Sequence, residues 1–195
     1  MKLSNYKAQS ARHILIYGPP KSGKTGAIGQ LAKKFRLHFV DLEDSIKTLL
    51  NPAILPAEFL DNIDLIRIPD KQTYPMGIET VLKILKGGTS VICHEHGKVT
   101  CPICSKDPNA ITTSLNLAAF ENDKDILVIE SYSQLAESAM NYIMRDAIAK
   151  DNFDAKAGWD EYGKQGRILE RIGSIIPVAP FNIVVPTHAQ MVDIE

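Results

Sequence analysis

The sequence lacks the long apolar runs that a membrane-spanning helix requires. No run among its 195 residues approaches about 18 apolar positions, and residues 1–6 lack the apolar centre of a signal peptide. A basic excess is also missing, because 22 lysines and arginines face 23 acidic residues and leave a net charge of −1. The composition predicts a cytoplasmic protein that contacts no membrane. It argues against nucleic-acid binding through a uniformly basic surface but does not exclude binding through a local basic stripe or loop.

Cysteine is scarce and unevenly placed. All three cysteines fall within residues 93–104. An odd number of cysteines in one short segment favours a metal site in a reducing compartment over a disulfide framework.

The hydrophobic pattern predicts a single α/β domain. Apolar residues make up 45% of the chain, and short apolar runs alternate with amphipathic stretches, as in a mostly parallel sheet covered by helices. The predicted strands are 13–17, 38–41, 63–68, 126–129 and 182–185, and the predicted helices are 25–35, 45–50, 75–85, 133–150 and 159–176. We expect one domain over residues 1–195, shortened at its carboxyl-terminal end, with residues 89–111 as an insertion that interrupts the alternation.

A complete phosphate-binding motif follows the first predicted strand. The motif G-x-x-x-x-G-K-[ST] and the residue after it are formed by Gly18, Pro19, Pro20, Lys21, Ser22, Gly23, Lys24, Thr25 and Gly26. A strand, a glycine-rich loop and a helix in this order let backbone N–H groups surround the phosphates of a nucleotide. Lys24 is expected to reach the β- and γ-phosphates, and the Thr25 hydroxyl to bind Mg²⁺. The sequence therefore predicts a site for ATP and Mg²⁺.

Polar side chains at the ends of later strands are candidates for hydrolysis. Glu130 ends an apolar strand where P-loop ATPases carry the acid that orients a water on Mg²⁺. That acid is ordinarily Asp, and the extra methylene of Glu displaces the carboxylate by roughly 1.5 Å. Glu43 is the candidate general base for the attacking water, whereas Asp41 is expected to be structural. His188 directly follows the last strand and is the candidate sensor of the γ-phosphate.

The cysteine segment has the spacing of a metal site. Cys93 and His96 form one half-site, and Cys101 and Cys104 form the other. Three thiolates and one imidazole suit tetrahedral Zn²⁺, and four protein ligands predict a structural site rather than a catalytic one. His94 is the alternative fourth ligand. Zinc would explain how this insertion folds without a core of its own.

The order of these motifs resembles that of the RecA-type P-loop ATPases. The resemblance covers about residues 12–190 and rests on the loop, on Glu43 after the second strand, on an acid followed by Ser131, and on Thr187-His188. Residues 159–163 are similar to phage-encoded, core-only RecA-like proteins. The resemblance implies that Glu43 activates water and that His188 senses the γ-phosphate. It also implies an ATPase that acts on single-stranded DNA in recombination or annealing. Such an ATPase would be a homo-oligomer with ATP between subunits, and it would act in the host cytoplasm if phage-encoded.

The sequence departs from that family in its DNA-binding and assembly motifs. The polymerisation motif Phe-x-x-Ala is absent. The first DNA-binding loop would correspond to residues 150–158, which offer Lys150 and Lys156 to phosphates, and the second would begin near Ala189.

Two other functions remain open. The first is a nucleotide kinase with a zinc-bearing lid. Such a lid would present arginines to the phosphates, and residues 93–104 contain none. The second, non-enzymatic alternative is a nucleotide-gated adaptor, such as a helicase loader or packaging accessory.

Overall fold

Seven β-strands and four α-helices make up the described part of the protein. The computed structural model describes residues 11–148, 150 and 155–189. In chain order the elements are β1 (His13–Gly18), α1 (Lys24–Gly29), β2 (Arg36–Asp41), β3 (Ile63–Arg67), α2 (Gly77–Leu85), β4 (Thr89–Cys93), β5 (Thr112–Asn116), β6 (Asp125–Glu130), α3 (Tyr132–Ile148), α4 (Trp159–Ile175) and β7 (Asn182–His188). None of the described helices has the length and apolar character needed to cross a membrane.

Five parallel strands form the central sheet, in the order β1, β7, β6, β2 and β3. This confirms the predicted parallel sheet and all five predicted strands. β7 lies between the strand that precedes the phosphate-binding loop and the strand that ends at Glu130. The register pairs Gly18 with His188 and Asp41 with Glu130. Because the carboxyl ends of parallel strands meet at one edge of a sheet, the loop and the candidate catalytic side chains lie along the same edge.

Apolar side chains cover both faces of the sheet. On one face, Val40 and Ile66 are fully buried in a cluster that includes residues of α2, α3 and α4. On the other face, Leu37 and Phe39 are fully buried in a cluster that includes residues of α1. Every residue of β6 is buried, as expected for a central parallel strand with both faces covered. Each fully buried large apolar side chain stabilises the fold by roughly 1.5–3 kcal/mol.

The helix predicted over residues 25–35 is wrong beyond its first turns. α1 ends at Gly29, and a 3₁₀ segment over Gln30–Lys33 follows. A Cβ atom at Gly29 would lie only 2.4 Å from the Leu49 side chain, so glycine is needed for this close approach. Glycine lowers the stability of a helix interior by about 1 kcal/mol relative to alanine, which favours the early end. The helix predicted over residues 45–50 is also a 3₁₀ helix, Ser45–Leu50.

Strands β4 and β5 form a separate antiparallel pair that the sequence pattern does not predict. Their sequences, Thr-Ser-Val-Ile-Cys and Thr-Thr-Ser-Leu-Asn, lack the apolar runs of the central strands. Ile92 and Leu115 nevertheless reach the main core. Thr113 Oγ1 donates a hydrogen bond to the Leu65 carbonyl oxygen at 3.2 Å. The pair, which extends past the predicted insertion, is thereby attached to the edge strand β3.

Two predicted DNA-binding segments fall partly outside the described residues. Within residues 150–158, residues 151–154 lie outside them. The segment expected to begin near Ala189 is described only at that residue.

Candidate nucleotide site and metal cluster

The phosphate-binding loop connects β1 to α1 through two residues in the left-handed backbone region. Lys21 has a φ of 62° and Gly23 a φ of 85°. At Gly23 this conformation favours glycine, which has no Cβ to oppose it. Turns of this kind direct successive backbone N–H groups toward a common centre and form concave anion sites. The loop therefore has the backbone form that phosphate binding requires.

Lys24 lies inside the loop instead of extending into solvent. Its Nζ donates hydrogen bonds to the carbonyl oxygens of Gly18 at 3.0 Å and Pro19 at 2.9 Å. The same Nζ lies 3.4 Å from His188 Nδ1, and only 8% of the Lys24 surface is exposed. The ammonium group is thus held where the loop would meet a phosphate.

Glu130 is buried at the end of β6 and contacts the loop. Thr25 Oγ1 donates a hydrogen bond to Glu130 Oε1 at 3.0 Å. The second oxygen, Oε2, is buried and has no hydrogen-bond partner among the described residues. Burial raises the pKa of Glu130 to about 7, assisted by the negative charges of Glu43 and Asp41. A hydroxyl oxygen next to an unpartnered carboxylate oxygen fits the ligand preference of Mg²⁺.

Glu43 faces the same edge from the end of β2. Ser131 Oγ donates a hydrogen bond to Glu43 Oε1, and Glu43 Oε2 lies 3.6 Å from His188 Nε2. The Glu43 side chain is 22% exposed, so it is positioned by neighbours and still reachable by water. These are the conditions that a general base needs.

Ser133, which the sequence analysis misses, fixes the end of β7. Its Oγ accepts a hydrogen bond from the His188 backbone N–H at 2.8 Å and lies 3.1 Å from Thr187 Oγ1. The Ala189 N–H donates to the Gly18 carbonyl oxygen at 3.0 Å. His188 is therefore held between α3 and the phosphate-binding loop. A single serine early in a helix gives no sequence signal of this contact.

Asp41 has structural contacts, as the sequence predicts. Its carboxylate accepts hydrogen bonds from the N–H groups of Glu43, Ser45 and Ile46 at 3.1–3.3 Å. These bonds satisfy free N–H groups at the start of the 3₁₀ helix Ser45–Leu50. They also fix the backbone from which Glu43 projects.

A cavity of about 500 Å³ connects these groups. Its lining combines loop residues 20–26 with Glu43, Glu130 and His188. The structure thus places the predicted nucleotide-binding and catalytic side chains around one space, with Gly18 and Pro19 behind Lys24. A second cavity, of about 650 Å³, continues past Glu43 and His188 toward Arg67 and Asp70.

The four predicted zinc ligands lie together in the β4–β5 segment. The ligand atoms of Cys93, His96, Cys101 and Cys104 all lie within 4.8 Å of one another, and the three thiols are free and buried. His96 Nδ1 is 3.2 Å from Cys104 Sγ and 3.8 Å from Cys101 Sγ. Sulfur ligands at about 2.3 Å from a tetrahedral zinc are about 3.8 Å apart, so this set fits Zn²⁺ with small adjustments.

His94 lies outside this cluster, and its Nε2 is 2.7 Å from Thr113 Oγ1. Burial lowers the pKa of His94, and the charge of Arg67 acts in the same direction. Within the cluster, a backbone hydrogen bond from Cys104 lowers the pKa of Cys101, whereas burial raises the pKa of Cys104. Thiolates are the metal-binding form of cysteine, so metal binding would release the proton of Cys104.

Glu130→Gln is expected to stabilise the protein without Mg²⁺ and nucleotide at about pH 8 by up to about 3 kcal/mol. The pKa of Glu130 is about 7 in the folded protein, against an ordinary value of 4.5. The folded state holds this proton more tightly than the unfolded state. The stability from protonated Glu130 is therefore fully present below pH 4.5 and is lost as the pH rises through 7.

Urea unfolding without added Mg²⁺ or nucleotide, at about pH 5 and about pH 8, measures this effect as the free energy of unfolding. The gap between Glu130→Gln and the wild type should widen with pH. Glu170→Gln, which changes an exposed residue of α4, is the matched control and should leave the pH dependence unchanged. The same pH dependence in Glu130→Gln and the wild type would contradict the assigned burial cost.

The parallel sheet, the glycine-rich loop and the strand-end acids beside it define a P-loop nucleotide-binding ATPase domain. A family model supports this on the sequence itself. The AAA domain model (AAA_24) matches residues 10–195, and the chain belongs to that family. The membership covers nearly the whole chain, including the β4–β5 segment. Closeness to phage-encoded RecA-like proteins stays a prediction.

A search of solved structures finds chains that are similar to this one. One of them is a prototypical ATPase from the type III secretion system of pathogenic bacteria, with 13% sequence identity and a TM-score of 0.47. The match covers 95% of this chain and 47% of that one, so the chain spans about half the length of the matched structure. A search of curated proteins finds no match.

Proposed function

We propose that the protein hydrolyses ATP at the carboxyl edge of its sheet and couples this reaction to single-stranded DNA. One observation carries the hydrolytic part. Two carboxylates with different environments, Glu43 and Glu130, face one cavity beside the phosphate-binding loop. Glu130 is buried and bonded to Thr25, whereas Glu43 is partly exposed and fixed by Ser131. The two acids are thus suited to different tasks.

The residues of the loop fit ATP and Mg²⁺. Lys24 would exchange its bonds to the loop carbonyls for the β- and γ-phosphates. Thr25 Oγ1 and the unpartnered Oε2 of Glu130 would hold Mg²⁺ directly or through water. When bound, Mg²⁺ neutralises phosphate charge and orients the γ-phosphate for attack. The fit rests on the buried oxygen of Glu130, which lacks any other partner among the described residues.

Glu43 would act as the base of the reaction. Its carboxylate takes a proton from a water that attacks the γ-phosphorus, while the bond to the bridging oxygen breaks and ADP leaves. Ser131 orients the carboxylate through Oγ. His188 lies between Lys24 Nζ and Glu43 Oε2, at 3.4 Å and 3.6 Å. It is therefore positioned to respond to the loss of the γ-phosphate and to transmit this through β7.

The proposal includes a homo-oligomer with ATP between subunits. Among the described residues that line the nucleotide cavity, Lys21 and Lys24 are the only lysines, and no arginine is present. Phosphoryl transfer commonly uses a further cation against the charge of the transition state. A basic side chain of a neighbouring subunit would supply it. In the described part of the chain, β1 is an edge strand, and its Leu15 and Tyr17 are 62% and 75% exposed.

The β4–β5 segment would hold one structural Zn²⁺ through Cys93, His96, Cys101 and Cys104. Four ligands leave no open position for catalysis, so the metal would fold the segment rather than take part in hydrolysis. The support is the convergence of four ligand atoms within 4.8 Å.

Oligothymidine is expected to raise the rate of ATP hydrolysis several-fold in the presence of Mg²⁺. The reason is that DNA-aligned subunits would complete each other's nucleotide sites. Phosphate release with and without oligothymidine measures the effect, and Lys24→Ala, which removes the loop ammonium, should abolish both rates. Hydrolysis without stimulation would refute the coupling to DNA. Nucleotide binding without hydrolysis would favour the adaptor, and transfer of phosphate to a nucleotide would favour the kinase.

A further inference from the structure

A groove between α3 and α4 concentrates positive charge on a nearly neutral protein. It is a cavity of about 520 Å³ whose lining includes Tyr142, Arg145, Lys164, Arg167 and Arg171. The chain has only six arginines, and three of them line this groove. Among the described residues of the lining, Asp146 is the single acidic one. None of the lining residues belongs to the nucleotide cavity or to the cysteine cluster.

Two of these cations have no ionic partner in the described structure. Lys164 lies 3.6 Å from Glu161, and Arg145 Nε lies 3.7 Å from Asp146. Within residues 11–148, 150 and 155–189, Arg167 and Arg171 form no ion pair, and both are exposed. Their charges are therefore available to an external anion.

The positions of these arginines are unfavourable for the helix by itself. Arg167 and Arg171 are four residues apart on α4, where like charges destabilise a helix by a few tenths of a kcal/mol. Neither lies in the last turn, where a cation would interact favourably with the helix dipole. Two acids of α4, Asp160 and Glu161, lie in its first turn, where the dipole favours them, and a third, Glu170, lies beside Arg171. The helix dipole therefore does not explain the positions of Arg167 and Arg171.

We propose that the α3–α4 groove binds the sugar-phosphate backbone of single-stranded DNA. This inference rests on the proposed function and gives its DNA partner a site outside the predicted loops. Lys164, Arg167 and Arg171 share one side of α4 and span about 10 Å along its axis. A strand with a phosphate about every 3.4 Å offers this row about three phosphates. Charge complementarity thus matches the groove to a short run of nucleotides.

The opposite wall of the groove provides a surface for a base. The Arg145 guanidinium lies over the Tyr142 ring, 4.3 Å from its centroid. This contact holds the planar guanidinium against α3 and leaves its outer face available. Arginine planes and aromatic rings are the surfaces on which unpaired bases stack. A phosphate row facing a stacking plane favours single strands over an acidic peptide, which has no stacking bases.

The test compares two variants that each remove two positive charges. Arg167→Gln combined with Arg171→Gln removes the unpaired charges of the groove. The control, Lys34→Gln combined with Lys86→Gln, removes two exposed charges elsewhere. Fluorescence anisotropy of labelled oligothymidine gives the dissociation constant over a range of salt concentrations. Circular dichroism checks that each variant is folded, and Arg167→Gln alone serves if the double variant is not.

Each phosphate contact contributes about 0.7 to the slope of the logarithm of the binding constant against the logarithm of the salt concentration. The loss of two contacts should therefore weaken the binding of oligothymidine about 25-fold at about 0.1 M salt, relative to the wild type. The slope of the groove variant should be smaller by about 1.4, and the control should change neither quantity. Equal losses in both variants would overturn the groove while leaving DNA binding intact. Tighter binding of polyglutamate than of oligothymidine would also overturn it. A wild type that binds no oligothymidine would refute the proposed coupling to DNA itself.

Discussion

Glu43→Gln is expected to bind ATP and Mg²⁺ like the wild type and to hydrolyse ATP about 10²–10⁴-fold more slowly, the usual loss for a general base. The amide keeps the shape of the carboxylate but takes no proton from water. Glu43 is not part of the phosphate-binding loop, so the contacts that hold the nucleotide remain. Single-turnover phosphate release gives the rate, and titration with a fluorescent ATP analogue gives the affinity.

The control for this change is Glu58→Gln, an exposed glutamate outside the cavity, which should keep the wild-type rate. A rate loss that appears together with an equal loss of affinity would show that Glu43 binds nucleotide instead of activating water. An unchanged rate would remove Glu43 from the mechanism and leave the cavity without its proposed base.

Purified protein is expected to contain one equivalent of zinc, and removal of the zinc should unfold the β4–β5 segment while ATP still binds. Structural zinc sites contribute about 10–16 kcal/mol of apparent binding free energy, which in such small segments is folding free energy. Three buried thiols without a metal would leave residues 94–111 of this segment with few other contacts to fix them. The unfolding should be centred there, since Ile92 and Leu115 pack in the main core. The nucleotide cavity shares no residue with the cluster, so its affinity should change little. Elemental analysis and hydrogen exchange of residues 89–116 measure the two effects.

The two neighbouring histidines provide a matched pair for this test. His96→Ala removes a ligand whose Nδ1 lies 3.2 Å from Cys104 Sγ and should lose zinc. His94→Ala changes a side chain that contacts Thr113 and should keep zinc. Loss of zinc from His94→Ala alone would reverse the ligand assignment, and protein without zinc in either form would refute the site.

Much of the nucleotide site can be predicted from sequence because its parts are local motifs. The loop, Glu43 and His188 each follow a short apolar strand, and parallel strands bring their ends to one edge whatever the details of the helices. The contact of Thr25 with Glu130 depends on strand order, which sequence patterns specify poorly. The role of Ser133 cannot be predicted from the sequence either, since only the fold shows that it holds β7.

Other features could not be read from the sequence for physical reasons. The helix after the loop ends early because Gly29 packs against Leu49, a contact between distant segments. The β4–β5 pair is rich in Thr and Ser, and its order depends on attachment to β3 and on the cysteine cluster. The α3–α4 groove combines two segments about twenty residues apart, and in the sequence its cations are interspersed with acids such as Asp146 and Glu170.

The position of β7 has a consequence for how the protein folds. Among the described residues, β1 pairs only with β7 in the sheet, and the contact of Arg12 with Asn182 joins residues 170 positions apart. Pairings of such long range form slowly, because a long stretch of chain must be closed before they contribute. β1 can therefore join the sheet only after β7, the last described strand, is available to pair with it. We therefore expect the phosphate-binding loop, which directly follows β1, to reach its ATP-binding form late in folding.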